Sequence, residues 1–374
     1  MHVVLAGGGT AGHIEPALAL ADALRRSDPS VGITALGTES GLETRLVPER
    51  GYELALIPKV ALPRKATPEL ITLPGRLRGT VKAVQDVLER TRADAVVGFG
   101  GYVAMSAYFA AKRSGVPIVV HEANARPGVA NRNGARYTDF VAVSTPDSKL
   151  RHAEYIGIPL RRTIATLDRN AARPEARAYF GLDQRLPTLL VSGGSQGARR
   201  LNETVQAIAP RLQQYGVQIL HAVGPKNEIP HIDDIPGMPP YRVVPYLDRM
   251  DLAYAAADLV VCRAGSATVA ELATLGVPAV LVPYPHAPGD HQTHNARVLS
   301  DAGAALLLPD AGTTADSLAD LIEPLLGDPL RLGAMGRAAE PGTHARAAEL
   351  LARRVLQVAG RSVSTTTETE ELAA

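Results

Sequence analysis

Short β-branched apolar runs alternate along the chain with longer segments whose apolar residues recur every three to four positions. The first series predicts strands at His2–Ala6, Gly32–Leu36, Leu54–Ile57, Ala95–Gly98, Ile118–His121 and Phe140–Val143. Helices are expected between them at Pro16–Arg26, Leu42–Arg50, Leu77–Arg90 and Val103–Arg113. Alternation of this kind argues for parallel βαβ units with right-handed crossovers. A polar stretch, Asp168 to Pro174, follows Arg162, and the pattern restarts at Thr188–Ser192 with later strands at Gln218–His221, Arg242–Val244, Leu259–Cys262, Ala279–Val282 and Ala305–Leu308. The expectation is two similar α/β halves joined near residues 158–170: an N-terminal domain over 1–162 and a C-terminal domain over 163–341. The last helical signal, His344–Val358, lies in a C-terminal helix spanning 342–360. The tail 361–374 has almost nothing to bury and is expected to be disordered.

Composition narrows the class. With 374 residues, each of two domains can bury its own core. Hydrophobic residues at 46% and charged residues at 21% exclude collagen-like, disulfide-scaffold and wholly disordered chains. Lys+Arg 39 against Asp+Glu 38 leaves a net charge of +1, so no nucleic-acid partner is expected and any attraction to phosphate or lipid must be local. The single cysteine, Cys262, lies in an apolar run, which excludes internal disulfides and cysteine zinc sites, places it in the core and suits a reducing cytoplasm. Met1–Gly7 has neither a basic leader nor a signal-length apolar run, so no export is expected. The uncharged stretch from Ala95 to Ala111 is interrupted by Gly98, Gly100 and Gly101, which predicts strand, turn and helix rather than a membrane span.

Three turns carry the candidate chemistry. Gly7-Gly8-Gly9-Thr10-Ala11-Gly12-His13 follows the first strand and opens the first helix, where glycines allow close backbone approach and unpaired N–H groups meet an anion or a sugar oxygen. It also matches the dinucleotide pattern G-x-G-x-x-G, but the required downstream acid has only a late candidate, Glu39. His13 is a titratable group aimed from a helix start into the crevice above the sheet, the plainer reading being a helix-cap histidine. The second turn, Ser192-Gly193-Gly194-Ser195-Gln196-Gly197-Ala198, repeats the strand–turn–helix arrangement. The third, Arg263 to Glu271, offers amides and hydroxyls for a diphosphate and a carboxylate for ribose hydroxyls. His286, Asp290, His291 and His294 invite a metal reading, which is not adopted because no partners that would orient such ligands are visible around them. Glu15 reads as a first-turn, solvated glutamate near His13.

Gly-Gly-x-x-x-Gly-His, Gly-Gly-Ser-Gln-Gly-Ala and Arg-x-Gly-x-x-Thr-x-x-Glu, in this order, make residues 1–358 resemble the MurG family of bacterial N-acetylglucosaminyltransferases. The resemblance implies a GT-B fold, two Rossmann-like domains with parallel sheets facing across a cleft, and no cofactor or metal. It implies inverting transfer of N-acetylglucosamine from UDP-N-acetylglucosamine to the 4-hydroxyl of lipid I, giving lipid II and UDP in peptidoglycan synthesis. Position by position, Thr10, Ala11 and Gly12 match donor contacts and His13 the proposed base. Asn124 matches the asparagine that reaches the donor sugar, Arg161 an interdomain arginine and Ser195 a phosphate-facing serine. Leu247 matches the position whose backbone reads uracil, Ala267, Thr268 and Glu271 the diphosphate and ribose turn, and Gln292 the glutamine on the sugar hydroxyls. Ala123 and Thr293 depart from glutamines found in other members. The resemblance also implies a peripheral enzyme on the cytoplasmic face of the cell membrane, with lipid I, an anionic membrane surface and cell-wall synthesis or division proteins as partners. Residues 58–82, where Lys59, Arg64, Lys65, Arg76, Arg78 and Lys82 interleave with leucines, are the expected docking segment. The rival readings are another GT-B transferase, a nicotinamide-dependent oxidoreductase resting on the single glycine fingerprint, and a nucleotide-sugar sensor without turnover.

Overall fold

The computed structural model describes residues 1–60, 69–228 and 235–360, and side chains outside 69–74. Arg64 and Lys65 of the expected docking segment and the tail 361–374 expected to be disordered lie outside the described residues. The chain divides into two units, one of Met1–Ala123, Pro127–Pro159 and Arg346 onward, the other of Asn124–Arg126 and Leu160–Ala345.

The first unit begins β1 (His2–Ala6), α1 (Ala11–Ser27), β2 (Gly32–Gly37), α2 (Glu43–Glu49), β3 (Glu53–Leu56) and α3 (Glu69–Thr91). It continues β4 (Ala95–Gly98), α4 (Gly101–Ser114), β5 (Ile118–Glu122), α5 (Val129–Gly134), β6 (Val141–Val143) and β7 (Ala153–Tyr155). The second holds α6 (Arg162–Ala165), α7 (Arg169–Tyr179), β8 (Thr188–Ser192), α8 (Arg199–Gln214), β9 (Gln218–Ala222), β10 (Tyr241–Val244) and α9 (Met250–Ala256). After these come β11 (Leu259–Cys262), α10 (Ser266–Leu275), β12 (Ala279–Leu281), α11 (His291–Ser300), β13 (Ala305–Leu307), α12 (Ala315–Leu326) and α13 (Pro329–Ala338). The last helix, α14 (Ala347–Val358), belongs to the first unit.

Both sheets are parallel throughout, in the orders β3-β2-β1-β4-β5-β6-β7 and β10-β9-β8-β11-β12-β13. Val3, Val4 and Leu5 of β1, and Leu189, Leu190 and Val191 of β8, are buried on both faces, which explains why these strands read as continuous apolar runs rather than alternating ones. Each order reverses once, at β1/β4 and at β8/β11. The crevice at the carboxyl ends of the strands beside such a reversal is where open α/β sheets bind ligands.

Leu351 and Val355 of α14 share one apolar cluster with Leu20 and Leu24 of α1, and Arg26 pairs with Glu349 at 2.8 Å. The stretch from Ala95 to Ala111 forms β4 and the start of α4, and among the described residues no helix is long and apolar enough to cross a membrane.

The polar stretch Asp168 to Pro174 is the cap and first turns of α7. Asp168 caps α7 by accepting from the Asn170 and Ala171 amides, each at 3.0 Å. Arg169, Arg173 and Arg177 recur every four residues on one face. Arg169 donates to the carbonyls of Tyr254, Ala257 and Gly276 at 3.2, 2.8 and 3.2 Å, closing the ends of α9 and α10. Arg173 and Arg177 pair with Asp258 at 2.5 and 2.9 Å, and Asp258 also accepts from the Thr188 amide at 2.8 Å. Guanidinium groups that look like solvated linker charge are thus turned onto carbonyls and a carboxylate of their own unit. Burial lowers the pKa of Arg169 to about 10 and also lowers that of Arg177, yet both remain charged near neutrality. Asp258→Ala strands the buried Arg177 charge and is expected to cost about 3 kcal/mol, read from urea unfolding.

Candidate active site

Three consecutive glycines shape the loop after β1, and each answers a different constraint. A Cβ on Gly7 would lie 2.6 Å from the His13 carbonyl oxygen, and one on Gly8 would lie 2.9 Å from Val103 and 3.1 Å from a Glu43 carboxylate oxygen. Gly9 has φ +90, a conformation that disfavours any side chain. Glu43, fully buried at the start of α2, accepts from the Gly9 amide at 3.1 Å and from the Thr38 amide and hydroxyl at 2.9 and 3.1 Å. This carboxylate ties the loop to the end of β2.

Thr10 opens α1 without capping it through its side chain, so the helix start presents backbone N–H groups at exposed Thr10 and half-buried Ala11 and Gly12, while the His13 amide donates to the Thr10 carbonyl at 3.0 Å. The His13 ring lies beside Thr10, with Oγ1 and Nδ1 3.4 Å apart, and packs over Gly100 and Gly101 at the turn after β4. Both glycines have positive φ, and a Cβ on Gly100 would meet His13 Nε2 at 3.2 Å and Asn131 Nδ2 at 3.4 Å. Behind them, buried Asn131 donates to Glu122 and to the His121 carbonyl, each at 3.0 Å, and accepts from Tyr108 at 2.8 Å. His13 therefore stands at the strand reversal, seated on glycine backbone that leaves room for its ring. Glu15 is not a solvated first-turn acid. It sits deeper in α1 and is bound by Arg50 at 3.2 Å, which also holds Asp22 at 2.8 Å.

In the second unit the turn after β8 is equally constrained. A Cβ on Gly193 would lie 2.3 Å from the Ala198 amide nitrogen, and one on Gly197 would lie 2.0 Å from the Val223 carbonyl oxygen. The Asn202 and Asn227 side chains both donate to that carbonyl at 2.8 Å, and Asn202 continues through His221 at 3.1 Å to Tyr241 at 2.9 Å. Burial lowers the His221 pKa to about 4, so near neutrality it bridges these groups as a neutral ring. Ser195 rides on this turn, half-buried.

Across the strand reversal, α10 starts at Ser266 with no side-chain cap, and Ala267 and Thr268 are half-buried at its first turn. Glu271 lies one turn further on. Its Oε2 accepts from the Tyr254 hydroxyl at 2.8 Å and its Oε1 lies 3.7 Å from Arg161 Nη2. Arg263, at the head of the turn, is instead committed to the fold by Asp310 at 2.5 Å and the carbonyls of Val282 and Pro283. Cys262 is buried, with its thiol pushed up to about 12 by desolvation and by Glu271, as befits an inert core residue.

Asn124 and Gln292 are positioned by their neighbours. Buried Asn295 of α11 holds the first segment, accepting from the Ala125 amide at 3.0 Å and donating to Asn124 Oδ1 at 3.4 Å. Gln292 accepts from the Tyr284 amide at 2.9 Å, which orients its own amide group. Leu247 buries its side chain and so anchors the loop backbone after β10. The histidine-rich loop is occupied locally: His291 bonds the Pro288 carbonyl at 2.9 Å and Thr293 donates to Asp290 at 2.7 Å. Among the described residues no three His, Cys, Asp or Glu side chains form a group able to hold a metal ion.

The glycosyltransferase family 28 N-terminal domain matches residues 3–143, and the family 28 C-terminal domain matches 188–351. A Streptomyces coelicolor protein named UDP-N-acetylglucosamine--N-acetylmuramyl-(pentapeptide) pyrophosphoryl-undecaprenol N-acetylglucosamine transferase is 72% identical, over 91% of this chain and 93% of its own. A Mycolicibacterium smegmatis protein of the same name is 54% identical over 96% of this chain and 94% of its own. The crystal structure of Acinetobacter baumannii MurG matches with a TM-score of 0.71 at 29% identity, over 95% of this chain and 99% of that one. The chain belongs to the MurG family.

MurG-family membership makes it a glycosyltransferase, with the GT-B architecture of two Rossmann-like domains. In this MurG-family chain, Thr10, Ala11, Gly12 and His13 gather in the first unit. Arg161, Ala267, Thr268 and Glu271 stand at or beside the start of α10 in the second. Sequence reasoning missed Glu43, Asn131, Tyr254 and Asn295, which hold the exposed residues from behind. Glu43 sits in the stretch Leu42–Arg50 that reads as an ordinary helix, and its only signal was the run of glycines that its carboxylate requires; no element was expected around Tyr254. Glu43→Ala leaves the Gly9 amide and two donors of buried Thr38 without their acceptor and is expected to destabilise the first unit by about 2 kcal/mol in urea unfolding, with faster amide exchange across residues 7–10.

Proposed function

We propose that this chain transfers N-acetylglucosamine from UDP-N-acetylglucosamine to the 4-hydroxyl of the muramoyl sugar of lipid I, with inversion, yielding lipid II and UDP. The observation that carries the reading is the composition of the two strand reversals. One presents a histidine at an uncapped helix start, and the other presents Arg161 and Glu271 beside a second uncapped helix start. That pairing suits a neutral nucleophile needing a base and a diphosphate leaving group needing positive potential.

His13 takes the proton of the acceptor hydroxyl as that oxygen attacks the anomeric carbon from the face opposite UDP. Positive charge develops on the donor ring and negative charge on the departing diphosphate. The amides at the start of α10, the turn bearing Ser195, and Arg161 stabilise the latter in the role a metal ion otherwise takes. Glu271 accepts the ribose hydroxyls, the Leu247 backbone reads the base, and Asn124 and Gln292 hold the sugar. A short-chain lipid I analogue with UDP-N-acetylglucosamine tests the reaction directly. His13→Ala should lower kcat by about a hundred- to ten-thousand-fold with little change in UDP affinity, and near-normal kcat would remove the base role.

An acceptor carrying a long polyprenyl chain stays in the bilayer, so the enzyme works as a peripheral protein on the cytoplasmic face of the membrane. Arg76 and Arg78 on α3 are exposed, the first donating to the Lys59 carbonyl at 3.3 Å, and Lys82 pairs with Asp86 at 2.6 Å. The basic side chains of this helix supply attraction to anionic lipid at about 1 kcal/mol for each one near the surface. In vesicle co-sedimentation the wild type should prefer anionic over zwitterionic lipid and be released by salt. Arg76→Glu with Arg78→Glu should abolish binding and leave UDP affinity intact, and equal sedimentation of the two proteins would place docking elsewhere.

A further inference from the structure

We propose that Tyr254 is a positioning residue for Glu271 and, through it, makes the nucleotide site prefer a ribose over a 2′-deoxyribose. The inference rests on the reading of Glu271 as the ribose acceptor. Tyr254 lies on α9, 1% exposed, and its hydroxyl donates to Glu271 Oε2 at 2.8 Å. Glu271, on α10, keeps its carboxylate at a partly open position, and Oε1 points toward Arg161 at 3.7 Å.

A glutamate side chain has three rotatable bonds, and fixing it at the moment a ligand binds costs conformational entropy. A hydrogen bond from a rigid, buried phenol to a charged acceptor fixes one oxygen beforehand and leaves the other with lone pairs for a ligand hydroxyl. The phenol is a dependable donor because burial and the nearby carboxylate push its pKa well above the ordinary value. A site built to accept a hydroxyl rejects an analogue that lacks it, since the acceptor then stays desolvated and unmatched. That penalty is largest when the carboxylate cannot swing away to find water, and the tyrosine prevents the swing.

The test compares UDP with 2′-deoxyuridine diphosphate by calorimetry on the full chain, in wild type, Tyr254→Phe and Glu271→Gln. Tyr254→Phe keeps the ring that fills the core. The wild type is expected to prefer UDP by about tenfold or more, the scale of one hydrogen bond to a charged group. Tyr254→Phe should bring that ratio down to about threefold or less, mainly by weakening UDP, and should raise KM for UDP-N-acetylglucosamine with kcat near wild type. Glu271→Gln should lose most of the preference as well. If Tyr254→Phe weakens both nucleotides equally, or leaves the ratio at its wild-type value while Glu271→Gln loses it, the positioning role is overturned and the ribose role of Glu271 stands. If the wild type shows no preference, or Glu271→Gln keeps it in full, the ribose reading fails and the proposal with it.

Discussion

Everything at the two candidate sites depends on backbone approaching backbone more closely than a Cβ allows. A parallel sheet whose strand order reverses leaves a crevice at its carboxyl edge, and the chain must turn there from strand into helix within a few residues. At Gly7, Gly193 and Gly197 the nearest non-neighbouring backbone atoms would lie 2.6, 2.3 and 2.0 Å from an added Cβ. Glycine is therefore a packing requirement at these positions, and the resulting turns deliver helix starts whose N–H groups are left for a ligand.

Such turns would be loose without support from behind, and buried polar groups supply it differently in each unit. In the first, the Glu43 carboxylate gathers three donors from two loops, and Asn131 links Glu122, the His121 carbonyl and Tyr108 beneath Gly100. In the second, two asparagines converge on the Val223 carbonyl while Tyr241 and neutral His221 complete the chain of bonds. Because Glu43, Asn131, Asn202 and His221 are removed from water, an unmatched partner would be costly, so the networks hold their loops in a single arrangement.

The same economy governs the arginines. Arg169, Arg173, Arg177 and Arg263 are spent on carbonyls and carboxylates of the fold, whereas Arg161 is the one placed beside Glu271 near the uncapped start of α10. Counting basic residues in a motif therefore overstates the positive charge available to a diphosphate. In the proposed reaction the helix start and Arg161 supply most of it.

The strands other than exposed β7, and helices α1 to α4, were legible from hydrophobic periodicity alone, because strands buried on both faces and helices buried on one leave distinct spacings. The three glycine turns were legible too, since close backbone approach admits so few residue types. Periodicity failed at α7, whose arginines have the polarity of a linker and acquire their meaning only when Asp258 and the carbonyl ends of α9 and α10 are brought to them. It found the last helix but not its place, because an apolar stripe fits any core: α14 packs on α1, more than three hundred residues away in the chain. Local sequence determines where the backbone turns and which helix starts stay open. Only tertiary structure decides which buried side chain holds each turn, because Glu43, Tyr254 and Asn295 act through partners set by how the sheets bring distant segments together.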